Sequence, residues 1–256
     1  MANVWNKKEE RSQQAHEHTK NMNKWFSKEI RDCVVQNTLY GYPDRQPAPV
    51  RQKGNPKLSF LNTDTVSALY RQDEKKNITL LNFASYKNPG GRFLEGSSAQ
   101  EEMLCHSSFL YNVLIGHRDY YEWNNQHKNR ALYTDRAIFS PHVLFFQDKQ
   151  IRNANVITCA SPNKGVALRY GQATETENTT ALKKRIRFIH RIAAEQNTDI
   201  LILGAFGCGV FRQNPTETAE IFKEEFKESP IPEIIFAVPG NNDNSQAFSQ
   251  KVNSIS

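Results

Sequence analysis

Three consecutive side chains, Gln100-Glu101-Glu102, are the strongest candidates for chemistry in this 256-residue chain. Hydrolysis of a glycosidic bond ordinarily uses two carboxyls roughly 5–10 Å apart on opposite sides of the scissile linkage. Neighbours on a regular helix point about 100° apart, so Glu101 and Glu102 cannot straddle a bond in that way. One is expected to work on the bond, and the other to hold the sugar or cap the helix. The run Ser98-Ala-Gln-Glu101 fits a capping box, so local pattern alone favours a structural use for Glu101.

Two glycine-rich stretches accompany these carboxyls. The first, Asn88-Pro-Gly-Gly-Arg92, precedes Gly96 and the Gln-Glu-Glu run. Glycines at 90, 91 and 96 permit backbone geometries closed to other residues, and a turn entering a helix offers unpaired N–H groups to an anion. The second, Gly204-Ala-Phe-Gly-Cys-Gly-Val-Phe-Arg-Gln-Asn-Pro215, supplies another set of amides that can cradle a phosphate. It is not the dinucleotide fingerprint, because Arg212 stands where the third glycine belongs, and no Gly-Lys-Ser/Thr follows to make a nucleotide-triphosphate loop. Two such turns together suggest a ligand whose diphosphate lies between them.

Other chemistries find little support. The seven histidines form neither H-E-x-x-H nor H-x-E, and the four cysteines, 33, 105, 159 and 208, have no paired spacing. No metal or cofactor is expected, and the cysteines read as buried free thiols. Cys208 sits in a turn that can lower a thiol pKa, although small size is the commoner reason for a cysteine there. The net charge of +6 favours a polyanionic partner without naming it. No apolar run approaches the roughly 20 residues of a membrane span, and the first residues carry no apolar leader, so an intracellular, cytoplasmic protein without membrane contact is expected. A monomer is expected.

The elements that must position these residues are legible in outline. Residues 4–35 read as helical, and prolines 43, 47, 49 and 56 mark a long connector. We therefore expect 1–56 to be a helical extension packed on a body formed by 57–256, because Trp5, Trp25 and Phe26 are costly to expose. In the body, strands are expected at 78–85, 155–160, 199–203 and 234–238. Helices are expected from 63, and at 98–114, 179–196 and 216–227. Alternation of this kind implies an α/β sheet with helices on both faces and a ligand crevice beyond the strands' carboxyl ends. Lys183, Lys184, Arg185, Arg187 and Arg191 share one helix with the apolar stripe Leu182, Ile186, Ile189 and Ile192, and read as its solvated face.

Leu81-Asn-Phe-Ala-Ser-Tyr-Lys-Asn-Pro-Gly-Gly91, Gln100-Glu-Glu102, Leu104-Cys-His-Ser-Ser-Phe-Leu-Tyr111 and Gly204–Pro215 together resemble the microbial-type poly(ADP-ribose) glycohydrolases, whose signature is a triple glycine, a spacer and Gln-Glu-Glu. The resemblance covers most of the chain. It implies a macrodomain-like mixed sheet with ADP-ribose across the strands' carboxyl ends, and hydrolysis of ribose–ribose bonds in poly(ADP-ribose) or ADP-ribosylated macromolecules. By motif position, Glu102 would be the general acid and base, while Glu101 and Gln100 would hold the distal ribose. Gly90, Gly91 and the stretch Ala205, Phe206, Gly207, Cys208, Gly209 and Val210 would bind the diphosphate. Ser85, Asn88 and Arg92 belong to the first of these loops. Phe211 would pack on the ribose, and Asp64 stands where macrodomains read adenine. Arg92 replaces the family's third glycine, where it would either clash with the diphosphate or pair with it, and Asn82 stands where animal relatives have Asp. A non-hydrolysing ADP-ribose reader, and a hydrolase for ADP-ribosylated nucleic acid, remain as alternatives separated from this reading by turnover.

Overall fold

A computed structural model describes residues 2–41, 52 and 54–253 of the chain, with side chains described from residue 7. Most of the connector 42–56, and the Trp5 side chain, lie outside the described residues. In chain order the elements are α1 (Ala2–Trp25), α2 (Ser27–Gln36), β1 (Thr38–Tyr40), β2 (Lys57–Leu61), α3 (Thr65–Tyr70), β3 (Ile78–Phe83), α4 (Gln100–His106), α5 (Leu110–Leu114), α6 (Arg118–Gln126), β4 (Ala137–Gln147), β5 (Gln150–Cys159), α7 (Lys164–Arg169), α8 (Glu175–Glu195), β6 (Ile200–Leu203), α9 (Pro215–Phe226), β7 (Glu233–Ala237) and α10 (Asp243–Asn253). Two 3-10 turns, Phe93–Glu95 and Asn129–Ala131, interrupt the loops.

The strands form one seven-stranded sheet in the order β1-β4-β5-β3-β6-β7-β2. From β5 to β2 the neighbours are parallel, whereas β4 is antiparallel to β5 and β1 to β4. The parallel strands are apolar on both faces because helices cover both, as buried parallel strands require. Leu81, Ile157, Leu201 and Ile234 pack with α8 and α9 on one face. Leu80, Val156, Ile202 and Ile235 pack with α3, α5 and α6 on the other. Burying each such side chain contributes about 1.5–3 kcal/mol.

Helix ends follow their local chemistry. Asp64 caps α3 through Ser67 N, Asn214 caps α9 with Pro215 in its first turn, and Thr174 with Glu177 forms the capping box of α8. The capping box anticipated at Ser98 is absent: Ala99 precedes α4 and makes no side-chain cap. Two long helices foreseen in the sequence are each divided. The first breaks at Phe26, whose φ of −126° departs from helical values. The second ends at His106, because Ser107 and Ser108 leave the helix to pair with β4, Phe146 N donating to Ser107 O at 2.7 Å.

Two expectations about charged and aromatic residues are corrected. Arg185 is 1% exposed and does not belong to a solvated face. Its guanidinium turns inward to Asp135 and Ala160 O, while Lys183 and Arg187 pair outward with Glu224 and Glu225 on α9. Trp25 is 60% exposed, contrary to the expectation that it is buried against the body. Phe26 does pack, against Phe109 and Phe146. Contacts from α1 to the body run instead through Ala15 beside Phe93, Arg11 Nε donating to Gly96 O at 2.8 Å, and Ser12 Oγ to Leu94 O at 2.6 Å. No described helix is long and apolar enough to cross a membrane.

Candidate active site

The site begins where two central strands part. β3 and β6 pair only as far as Leu80 and Ile202. Ala84 N donates to Cys159 O, so even-numbered residues of β3 face β5 and odd ones face β6. Beyond the last pair, Leu81 O and Phe83 N therefore point into the gap and need partners. The Gln100 side chain supplies both. Its Oε1 accepts from Phe83 N at 2.9 Å, and its Nε2 donates to Leu81 O at 2.9 Å and Thr65 Oγ1 at 3.2 Å. One primary amide thus stands in for a missing strand and fixes the start of α4 at the sheet's carboxyl edge.

That anchoring sets the two carboxyls that follow. Glu101 is 3% exposed and Glu102 6%. Glu101 Oε2 accepts from Ser85 N at 2.7 Å, and its Oε1 accepts from Asn82 Nδ2 at 3.2 Å. Glu102 Oε1 accepts from Arg92 N at 2.9 Å, while its Oε2 is buried with no hydrogen-bond partner among the described residues. Burial pushes the Glu101 carboxyl up to about 8, against the opposing pull of the Ser85 amide and Asn82. Glu101 therefore does not cap its helix.

The two carboxyls meet at Gly91. A β-carbon there would come within 2.5 Å of Glu102 Oε1 and 2.9 Å of Glu101 Oε2. Gly91 also has φ +63°, whereas Arg92 has −114°, a value any residue adopts. The Arg92 guanidinium is bound to Glu95 on the outer side of the loop. Ser85 Oγ accepts from Lys87 N and Asn88 N, and Asn88 O accepts from Gly91 N, so both residues shape this loop from within.

Beside it lies a cleft of about 380 Å3, lined by Asp64, Gln100, Ala205, Phe206, Gly207, Gly209, Val210 and Phe211 among the expected residues. Gly207, Gly209, Val210 and Phe211 donate to no backbone carbonyl among the described residues, which leaves their amides available to an anion. Val210 is 82% exposed at the rim. Asp64 stands at the cleft but is already engaged, Oδ1 by Ser67 N and Oδ2 by Ser67 Oγ. Cys208 does not line the cleft, and burial pushes its thiol up to about 11, which removes it as a nucleophile at neutral pH.

Glu101, Glu102, Ser85, Asn88, Gly90, Gly91 and Arg92 form a second group, gathered at the start of α4 and adjoining the cleft through Gln100. Sequence reasoning missed Thr65, Val66, Phe83, Met103, Ser161 and the segment after β7 containing Pro239, Asn242 and Asn244. That segment follows a parallel strand's carboxyl end, which was the available signal. Among the described residues no cluster of His, Cys, Asp or Glu could hold a metal ion.

The sequence model for the microbial-type PARG catalytic domain matches residues 7–148. Poly(ADP-ribose) glycohydrolase (PARG) from Thermomonospora curvata superposes with a TM-score of 0.84 at 25% identity, over 95% of this chain and 99% of that one. The Deinococcus radiodurans PARG, solved with ADP-ribose, gives 0.78 at 30% identity over 90% and 99%. A T. curvata structure with the inhibitor ADP-HPD gives 0.81 at 24%, over 95% and 99%. No curated protein sequence matches.

Proposed function

The chain belongs to the microbial-type poly(ADP-ribose) glycohydrolase family, and from that membership we infer that it hydrolyses the ribose–ribose O-glycosidic bonds of poly(ADP-ribose) and releases ADP-ribose. The observation that carries the reaction is the state of Glu102. One carboxyl oxygen, Oε1, lies beside Gly91 and is held by Arg92 N, and the other, Oε2, is buried and unpartnered among the described residues.

In the proposed reaction a single carboxyl works on one face of the bond. Glu102 Oε2 gives its proton to the departing 2′-oxygen as the bond to the anomeric carbon breaks and the distal ribose becomes oxocarbenium-like. The resulting carboxylate takes a proton from water, whose oxygen bonds to the anomeric carbon. Arg92 N stabilises the anionic stage without a counter-ion at the reacting oxygen. Glu101, its carboxyl pushed up to about 8 by burial, offers a hydroxyl to the sugar. The free amides of Gly207, Gly209, Val210 and Phe211 suit the diphosphate, and the Phe211 ring suits the ribose. Gln100 acts through its anchorage of α4.

Release of free ADP-ribose from purified polymer tests this reading. Wild type is expected to release it, and Glu102→Gln to fall by about 10²–10⁴-fold, the usual worth of a general acid–base group. An active Glu102→Gln protein would remove Glu102 from the role. Tight ADP-ribose binding with no turnover by wild type would mark a reader module.

A further inference from the structure

Four of the five residues 129–133 adopt a conformation that L-residues avoid. Asn129, Arg130, Ala131 and Tyr133 have φ of 42°, 53°, 63° and 60°, and none is glycine. Strain of this kind persists only where surroundings over-determine it, and here they do. Leu132 N donates to Asn129 O, Asn129 Nδ2 to Tyr133 O, and Asn163 N to Ala131 O. Arg130 Nη1 reaches Gln172 O and Glu177 Oε1.

The result of this turn is the placement of one ring. Tyr133, 8% exposed, stacks on Tyr86 with centroids 4.1 Å apart and planes at 10°, and meets Phe211 edge-on at 6.1 Å. Tyr86 directly follows Ser85, whose amide holds Glu101. Its backbone carbonyl accepts from Asn124 Nδ2, and its hydroxyl sits between His127 O and Thr134 Oγ1. Phe211 lines the cleft at the end of the second glycine loop. The Tyr133 ring is therefore a contact between the segment that sets Glu101 and the residue that faces the ligand, alongside the Phe83–Phe206 pair at the end of β3.

We propose that Tyr133 is a positioning residue that couples the two glycine-rich loops, its ring wedged between Tyr86 and Phe211 by the left-handed turn. The inference rests on the glycohydrolase reading, in which Phe211 faces the ribose and the Glu101 segment the scissile bond. Its hydroxyl interacts with the Asn163 side chain, outside the stack, so the ring and not the hydroxyl makes the coupling.

Two variants of the full chain separate ring from backbone. Tyr133→Phe keeps the stack. Tyr133→Gly removes it while suiting φ +60°, so any effect cannot come from added strain. Tyr133→Phe is expected to stay within about threefold of wild type, and Tyr133→Gly to raise KM and lower kcat together, cutting kcat/KM on poly(ADP-ribose) by on the order of tenfold or more. A merely structural role would lower the active fraction and hence kcat, with KM unchanged; that outcome would overturn the proposal. Amide hydrogen exchange supplies a readout without substrate. Faster exchange in both 84–91 and 205–213 for Tyr133→Gly, restored in Tyr133→Phe, supports the coupling, and acceleration of only one loop or neither overturns it. Should wild type release no ADP-ribose, the glycohydrolase reading fails, and the exchange result still decides the role of Tyr133.

Discussion

Gly91 occupies the narrowest point of the site, with two carboxyl oxygens where a β-carbon would stand and a left-handed φ of +63°. Gly91→Ala would meet a conformational cost of about 1–2 kcal/mol and must also push Glu102 aside. Displacing a catalytic group by ~1 Å costs on the order of 10² in rate. Gly91→Ala is therefore expected to lose about that factor in kcat, measured as ADP-ribose release, while Arg92→Gly is expected to stay within about threefold of wild type, since exposed positions usually change little. The family pattern with three glycines made Arg92 look like an intrusion. At φ −114° the position needs no glycine, and what the site takes from residue 92 is its backbone N–H, which arginine supplies equally. Residue identities at the site were thus legible, but their backbone conformations, which explain the departure, were not. The same limit applies to Glu101. Its spacing from Ser98 satisfies a capping box, but burial against β3 and the Ser85 amide claims the carboxyl first.

At the scale of elements, the sequence revealed the strands whose apolar runs are unbroken and lost those whose pattern is interrupted. β4 carries Pro141 and His142 at a bulge between Ser140 and Val143, and its hairpin to β5 turns on Asp148 and Lys149, both left-handed without a glycine to announce them. The run 98–114 reads as one helix because its apolar spacing continues through Ser107 and Ser108. Pairing with β4 breaks it there, a tertiary contact that no local propensity encodes. Gln100 is the counterpart at the site, since a side chain completing a sheet edge has no sequence signature. Gln100→Ala would leave Phe83 N and Leu81 O unpaired at the sheet's carboxyl edge. Each buried group left unsatisfied costs about 1–3 kcal/mol, so urea unfolding should show a loss of that order, accompanied by lower kcat as α4 loosens. Gln100→Glu can still accept from Phe83 N but cannot donate to Leu81 O, and should fall between the two. An unchanged unfolding midpoint for Gln100→Ala would show that α4 is held by its packing alone.

For the whole molecule, the consequence of burying the Glu101 carboxyl is a pH-dependent stability. The folded-state pKa of Glu101 is raised from 4.5 to about 8, so between those values the folded protein keeps a proton that the unfolded chain has lost. Stability from this group is accordingly complete below about pH 4.5 and is lost as pH rises through about 8, at up to about 1.4 kcal/mol per pH unit. His106 and His117, both lowered by burial, act in the opposite direction, favouring the folded state as their imidazoles lose protons. Those contributions are common to wild type and Glu101→Gln, and cancel when the two are compared. Around Glu101 stand the Ser85 amide, Asn82, Glu102, Cys105 and Tyr121, of which only Glu102 is a further carboxyl. Asn82 Oδ1 is buried without a partner among the described residues, so a turned Asn82 amide can accept from the amide that Glu101→Gln introduces and keep the substitution satisfied. Urea unfolding from pH 5 to 8 should therefore show wild type losing stability relative to Glu101→Gln as pH rises, with the gap flattening above pH 8. A gap that stays constant across the range would mean that Glu101 is ionised in the folded protein.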